Sequence, residues 1–140
     1  MTEIDHYLRD EFVSLGKRCE PLLIVDDSKA MRMIVLRTLR QAGYDSHEIA
    51  QAEHGRDALD QISGGLAPDL ILSDWNMPEL NGIDFLRELR GGGNGTPFGF
   101  VTSESTPAMR EQAAEAGAAF LIGKPFTADT FSESLKPVLG

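Results

Sequence analysis

Cysteine is nearly missing from these 140 residues: Cys19 stands alone. A single thiol excludes an internal disulfide framework, and no Cys/His cluster stands at zinc spacing, which points to a reducing, cytoplasmic setting with Cys19 inert. Positive charge is also in deficit, with 13 Lys and Arg against 22 Asp and Glu and a formal net charge of −9. That balance argues against binding nucleic-acid phosphates or an anionic membrane surface. No apolar run approaches the roughly 20 residues of a membrane-spanning helix. The first residues, Thr2-Glu3-Ile4-Asp5, lack the basic-then-apolar mark of an export signal. His6, His47 and His54 show no triad or ligand spacing, and no role is assigned to them.

What is present is ordinary for a globular chain, 41% hydrophobic and 25% charged. The length suits one domain able to bury a core without staples. Ile4, Tyr7, Leu8, Phe12 and Leu15 recur at helical spacing with Asp5, Arg9 and Asp10 between them, so an amphipathic helix is expected before Pro21. Its apolar side either covers its own domain or joins a homodimer or partner surface. The expected division is residues 1–20 as an N-terminal helical extension and 21–140 as the main domain.

From Pro21 onward the pattern alternates. Leu22–Val25 is an aliphatic run too short for a helix and closed by Asp26-Asp27-Ser28, hence a buried strand whose acidic pair lies at its C-terminal end. Ser28 can cap the helix from Lys29 to about Ala42, with Arg32, Arg37 and Arg40 expected on a solvated face. A weaker, edge-like strand over Glu48–Ala52 and a helix over about Arg56–Ile62 follow. Leu70–Ser73 is the third strand; it delivers Asp74, after which the chain turns through Asn76 and Pro78. Ile83, Leu86 and Leu89 mark a helix to Arg90, and Gly91-Gly92-Gly93-Asn94-Gly95 is expected to be a mobile connector. Phe98–Val101 is a strand ending in Thr102, Ser103 and Glu104; a helix begins at Thr106-Pro107 and stops at Gly117. Ala119–Ile122 is the fifth strand, leading to Gly123-Lys124-Pro125-Phe126. A last helix capped by Thr127 should end or kink near Leu135 because of Pro137.

Five such alternations predict an α/β fold with a parallel sheet and helices on both faces. Asp26, Asp27, Asp74, Thr102 and Lys124 then share one end of the sheet, the end where open α/β sheets bind ligands. Two unit charges about 4 Å apart repel by roughly 4 kcal/mol at an effective dielectric of 20, so three gathered carboxylates call for a cation. Mg²⁺ suits a site of few carboxylates and retained waters. A carboxylate, a metal, the Lys124 ammonium and the Thr102 hydroxyl are the parts needed to move a phosphoryl group onto Asp74. Trp75 is expected to be a partly exposed neighbour of that site.

Taken together, Asp26-Asp27, Ser73-Asp74-Trp75-Asn76-Met77-Pro78, Thr102-Ser103-Glu104 and Lys124-Pro125-Phe126 resemble the receiver domains of two-component response regulators, and within them the stand-alone chemotaxis type. The resemblance runs from about Leu22 to Leu139. It implies a flavodoxin-like sheet in the order 2-1-3-4-5. It also implies Asp74 as acceptor of a phosphoryl group from a histidine kinase or phosphotransfer protein, and Mg²⁺ held by Asp26, Asp27, Asp74 and the backbone carbonyl of Asn76. Thr102 and Lys124 are implied as the switch pair, and Asn76 and Glu104 as the residues governing hydrolysis of the phosphoaspartate. Leu121 departs from the family pattern, which places an aromatic there; the aromatic here is Phe120, pointing to the opposite face. With no effector region after Gly140, the expected output is a downstream partner protein. Two other function classes compete. An aspartyl-phosphate phosphatase would carry an acid two residues after its nucleophile, where this chain has Asn76. A phosphorylation-independent interaction module would not need all five key residues.

Overall fold

The computed structural model describes residues 20–140. The expected helix over residues 4–15, the 1–20 extension as a unit, and Cys19 lie outside the described residues. Five strands alternate with five helices: β1 Leu22–Val25, α1 Lys29–Gln41, β2 Ile49–Ala52, α2 Gly55–Ser63, β3 Leu70–Ser73, α3 Gly82–Gly91, β4 Phe98–Thr102, α4 Pro107–Ala116, β5 Phe120–Gly123 and α5 Ala128–Leu139. The sheet runs β2-β1-β3-β4-β5, and every neighbouring pair is parallel. This is the expected flavodoxin-like order, with strand boundaries within about a residue of those read from the sequence.

β1, β3 and β4 are buried at every position, as a sheet covered on both faces requires. Alternate residues feed two cores. Leu22, Ile24, Leu70 and Leu72 pack with Val35 and Leu39 of α1 and Phe131 and Leu135 of α5. Leu23, Val25 and Ile71 pack with Ala58 of α2, Ile83, Phe85, Leu86 and Leu89 of α3, and Ala113 of α4. The period of two along each strand therefore decides which helix pair each residue meets. Helix starts follow local chemistry, with Ser28, Asn81, Thr106 and Thr127 each accepting a backbone N–H three residues on. His54 does the same for α2 through Nδ1, so its role is a cap. His47 is likewise structural, its Nδ1 2.7 Å from the Glu20 carbonyl.

Two expectations about the connections are corrected. Of the two effects expected of Pro137, ending or kinking the last helix near Leu135, the ending does not occur: α5 continues to Leu139 with Pro137 inside it. Val138 and Leu139 pack against the α1–α5 core, so burial beyond the proline compensates for the missing N–H. Pro137→Ala restores that donor and is expected to raise stability by about 1 kcal/mol, below the interior-helix value of about 3 because the site lies in the final turn. A urea midpoint at or below that of the wild type would show that the proline's rigidity outweighs the lost bond.

The glycine run after α3 is not an untethered connector. The helix runs through Gly91, and Gly92 and Gly93 donate back to Glu88 and Arg90. Arg90 spans the turn, with Nη1 2.9 Å from the Asn94 carbonyl and Nη2 2.9 Å from that of Gly117. Burial lowers the pKa of the Arg90 guanidinium. Hydrogen bonds to a charged donor offset the conformational freedom the glycines would otherwise have.

Candidate functional site at the carboxyl edge of the sheet

A parallel sheet brings the C-terminal ends of its strands to one edge, and here the ladder extends just past them. The Asp74 N–H donates to the Val25 carbonyl at 2.9 Å, and the Lys124 N–H to the Thr102 carbonyl at 2.8 Å. These bonds set the residue after β3 beside the end of β1, and the residue after β5 beside the end of β4. One oxygen from each of Asp26, Asp27 and Asp74 lies within 4.8 Å of the others. Lys124 Nζ is 3.5 Å from Asp26 Oδ2 and 3.8 Å from Asp74 Oδ1.

The three carboxylates differ in environment. Asp26 is 5% exposed, and both its oxygens are engaged, Oδ1 by the Ser28 N–H at 2.9 Å and Oδ2 by Lys124. Asp27 is exposed and accepts no hydrogen bond among the described residues. Asp74 is half-buried; the Trp75 N–H at 2.8 Å and Lys124 both approach its Oδ1, which leaves Oδ2 without a hydrogen bond among the described residues. Burial raises the pKa of Asp74; Lys124 opposes that, Asp26 adds to it, the Trp75 N–H opposes it and Asp27 adds to it. The fold thus holds Asp74 at a cost to its ionised form.

That direction has a measurable sign. A carboxyl whose folded pKa is raised binds more protons folded than unfolded, so its contribution to stability falls as pH rises from its ordinary value through the raised one. Asp74→Asn removes the contribution. In metal-free buffer the variant should therefore gain on the wild type in urea as pH rises from about 4 to 7. A constant difference across that range would contradict the raised value.

Thr102, the last residue of β4, is fully buried, and its Oγ1 accepts the Glu104 N–H at 3.3 Å, leaving the hydroxyl proton free to be donated. Across the mouth of the site, Asn76 Nδ2 donates to Glu104 Oε1 at 3.2 Å. All residues singled out from the sequence are therefore together. Trp75 corrects one expectation: it is 8% exposed, with its ring centroid 4.7 Å from that of Phe100, because the chain reverses there to let the Gly82 N–H reach the Trp75 carbonyl. Beside Lys124 an apolar groove of about 360 Å³ opens between Met31, Ile34, Pro125 and Phe126.

Sequence patterning missed Arg32. Of the four cations on α1, it alone is not on the exposed face. Its Nη1 lies 2.7 Å from the Asp26 carbonyl and its Nε 2.8 Å from Gln51 Oε1. A helical wheel places it at the margin of the buried stripe, and only the position of β2 shows that it turns inward.

The sequence that carries this edge matches the response regulator receiver domain over residues 22–136. The chain belongs to that family. Its relatives include chemotaxis protein CheY1 of Helicobacter pylori, 37% identical over 121 residues that span 85% of this chain and 96% of that one. The chemotaxis protein CheY homolog of Campylobacter jejuni is 38% identical over 85% of this chain and 92% of its own. In three dimensions the receiver domain is similar to chemotaxis protein CheY4 of Vibrio cholerae, with a TM-score of 0.76 and 33% identity over 87% of this chain and all of that one. It is a CheY-like receiver domain of a two-component system, a class of phosphoacceptor switches. No helix among the described residues is long and apolar enough to cross a membrane.

The receiver family implies a divalent metal, and the donor set fits one. Three carboxylates face a single lysine, which leaves two negative charges uncompensated, and all the side-chain donors are hard oxygens of the kind Mg²⁺ prefers. Leu121 fills the position of the family aromatic; it is buried on the α2–α4 side of the sheet with Ala113. Phe120 packs on the α1–α5 side, as strand alternation predicts.

Proposed function

We propose that this protein is a response regulator whose receiver domain accepts a phosphoryl group on Asp74 from a histidine kinase or phosphotransfer protein and signals through a downstream protein. The observation that carries the reading is the state of Asp74: one oxygen is held by the Trp75 N–H and Lys124, and Oδ2 is left unbonded beside a lysine and two further carboxylates. Oδ2 forms the new bond to phosphorus as the bond from phosphorus to the donor's imidazole nitrogen breaks, and that nitrogen keeps the electron pair. Asp26, Asp27, Asp74 and the backbone carbonyl of Asn76 would hold Mg²⁺, which when bound neutralises charge on the phosphoryl oxygens. Lys124 meets a second oxygen. Thr102 moves to donate its free hydroxyl proton to a third.

Those two movements are the switch. Lys124 now sits between Asp26 and Asp74, and a phosphoryl group draws it outward, carrying with it the loop whose N–H is anchored on Thr102. Leu121 lacks an aromatic ring to relay the change, so the signal passes through the loops after β4 and β5. Asn76 and Glu104, already in contact, order the water that later hydrolyses the phosphoaspartate and so set its lifetime. Self-catalysed transfer and hydrolysis make the protein a switch with a clock rather than a turnover enzyme. Incubation with Mg²⁺ and acetyl phosphate, followed by intact-mass measurement, tests the reading: one phosphoryl group should be added, and chelating the metal should prevent it. A protein that stays at its unmodified mass would refute it.

A further inference from the structure

Arg32 is tied to the acidic cluster by geometry that its helix does not need. The N–H of Asp26 is held by the Ala52 carbonyl of β2 at 3.1 Å, and the C=O of Asp26 is held by Arg32 Nη1 at 2.7 Å. Arg32 is in turn fixed through Nε by Gln51 Oε1 on β2, and the Gln51 carbonyl accepts from Gln61 Nε2 of α2 at 2.8 Å. The peptide plane joining Asp26 to Asp27 therefore has its oxygen clamped, and that plane contains the Asp27 N and Cα, so it fixes the point from which the Asp27 side chain leaves the backbone. Asp26 and Asp74 each have a backbone N–H holding a carboxylate oxygen. Asp27 has none among the described residues and is exposed, so the clamp on its preceding carbonyl is what aims it.

We propose that Arg32 is a positioning residue that aims Asp27 at the cation held by the cluster; this rests on the metal assignment made above. Arg32 does not touch the cation. Its charge by itself would repel one, so the positional and the electrostatic readings have opposite signs. If Arg32 acts by aiming Asp27, Arg32→Gln weakens Mg²⁺ binding, by roughly tenfold for loss of a group that orients a ligand. If it acts only as a nearby positive charge, Arg32→Gln tightens binding.

The experiment is calorimetric titration of Mg²⁺ into four proteins, the wild type, Arg32→Gln, Asp27→Asn and the double variant, with thermal melting in metal-free buffer alongside. The expected result is weaker binding in both single variants and no further loss when Arg32→Gln is added to Asp27→Asn, because a residue that works through Asp27 has nothing left to aim. A loss that adds in full, or unchanged or tighter binding in Arg32→Gln, overturns the proposal. Should Arg32→Gln melt too early to titrate, Gln51→Ala at its exposed position takes its place: it keeps the Arg32 charge but frees the guanidinium, so a smaller loss of Mg²⁺ binding is expected and unchanged binding overturns the proposal. A wild type that takes up no Mg²⁺ overturns the metal reading itself, which separates that failure from failure of Arg32's role.

Discussion

Asp74→Asn should take up no phosphoryl mass from acetyl phosphate, whereas Asp27→Asn and Lys124→Ala should still be labelled, more slowly. The three acids stand within 4.8 Å of one another, so proximity alone does not choose among them. Their partners do. Both oxygens of Asp26 are engaged, one by a backbone N–H and one by Lys124, and the residue is 5% exposed, so a phosphorus atom has no approach to it. Asp27 is open to solvent but Lys124 lies beside Asp26 and Asp74, not beside it. Asp74 alone combines an unbonded oxygen with an adjacent ammonium group. Removing a nucleophile eliminates the covalent step, whereas removing a charge that stabilises the transferring group slows it by something on the order of 10² to 10³. Asparagine is nearly isosteric and removes a charge that the fold holds at a cost, so Asp74→Asn should melt no lower than the wild type in metal-free buffer. Full labelling of this variant would place the acceptor elsewhere in the cluster.

Gly82→Ala should cost about 3 kcal/mol of stability, the upper part of the range for inserting atoms into a packed core. At this chain length that lowers the melting temperature by roughly 10 °C. Gly82 opens α3, and its N–H donates to the Trp75 carbonyl at 2.7 Å. A methyl group there would overlap the Asp74 carbonyl oxygen and lie 3.0 Å from Trp75 Cα and 2.8 Å from a ring carbon of Phe100. Two of those three atoms are backbone, which rotamer changes cannot move. The backbone that must yield is the one that carries Asp74, so phosphorylation by acetyl phosphate should slow along with the loss of stability. Gly99 offers a contrast. The three atoms nearest a methyl group there all belong to the ring of Phe120, a half-buried side chain on the edge strand β5 rather than backbone, so Gly99→Ala should lose less. A Gly82→Ala protein that melts within about 2 °C of the wild type would show that the turn after β3 has more slack than its contacts imply.

The strand ends explain how much of the site could be read in advance. Runs such as Leu22–Val25 and Leu70–Ser73, each closed by an acid, state the strand and the candidate site position together, because a buried parallel strand must be apolar along its length and can turn polar only where it leaves the sheet. Asp26, Asp27, Asp74, Thr102 and Lys124 were legible for that reason, and the alternation of short runs with capped helices made the fold class legible as well. Pro137 and the glycine run misled for a shared reason. Local propensity is weak beside burial and charged hydrogen bonds, and neither the packing of Val138 and Leu139 nor the span of Arg90 across the turn is written in neighbouring residues.

The sequence alone determined which residues are polar at strand ends, which faces are apolar and where helices start, since these depend on period, length and capping within a few residues. Only the tertiary structure decided the details on which the chemistry depends. It left Asp74 Oδ2 free while both oxygens of Asp26 are occupied, it buried Trp75 against Phe100, and it turned Arg32 from a solvated stripe onto the Asp26 carbonyl. Each of these involves partners far apart in the chain, such as Arg32 with Gln51 and Asp74 with Lys124, and such a pairing exists only once the strands have taken their order in the sheet.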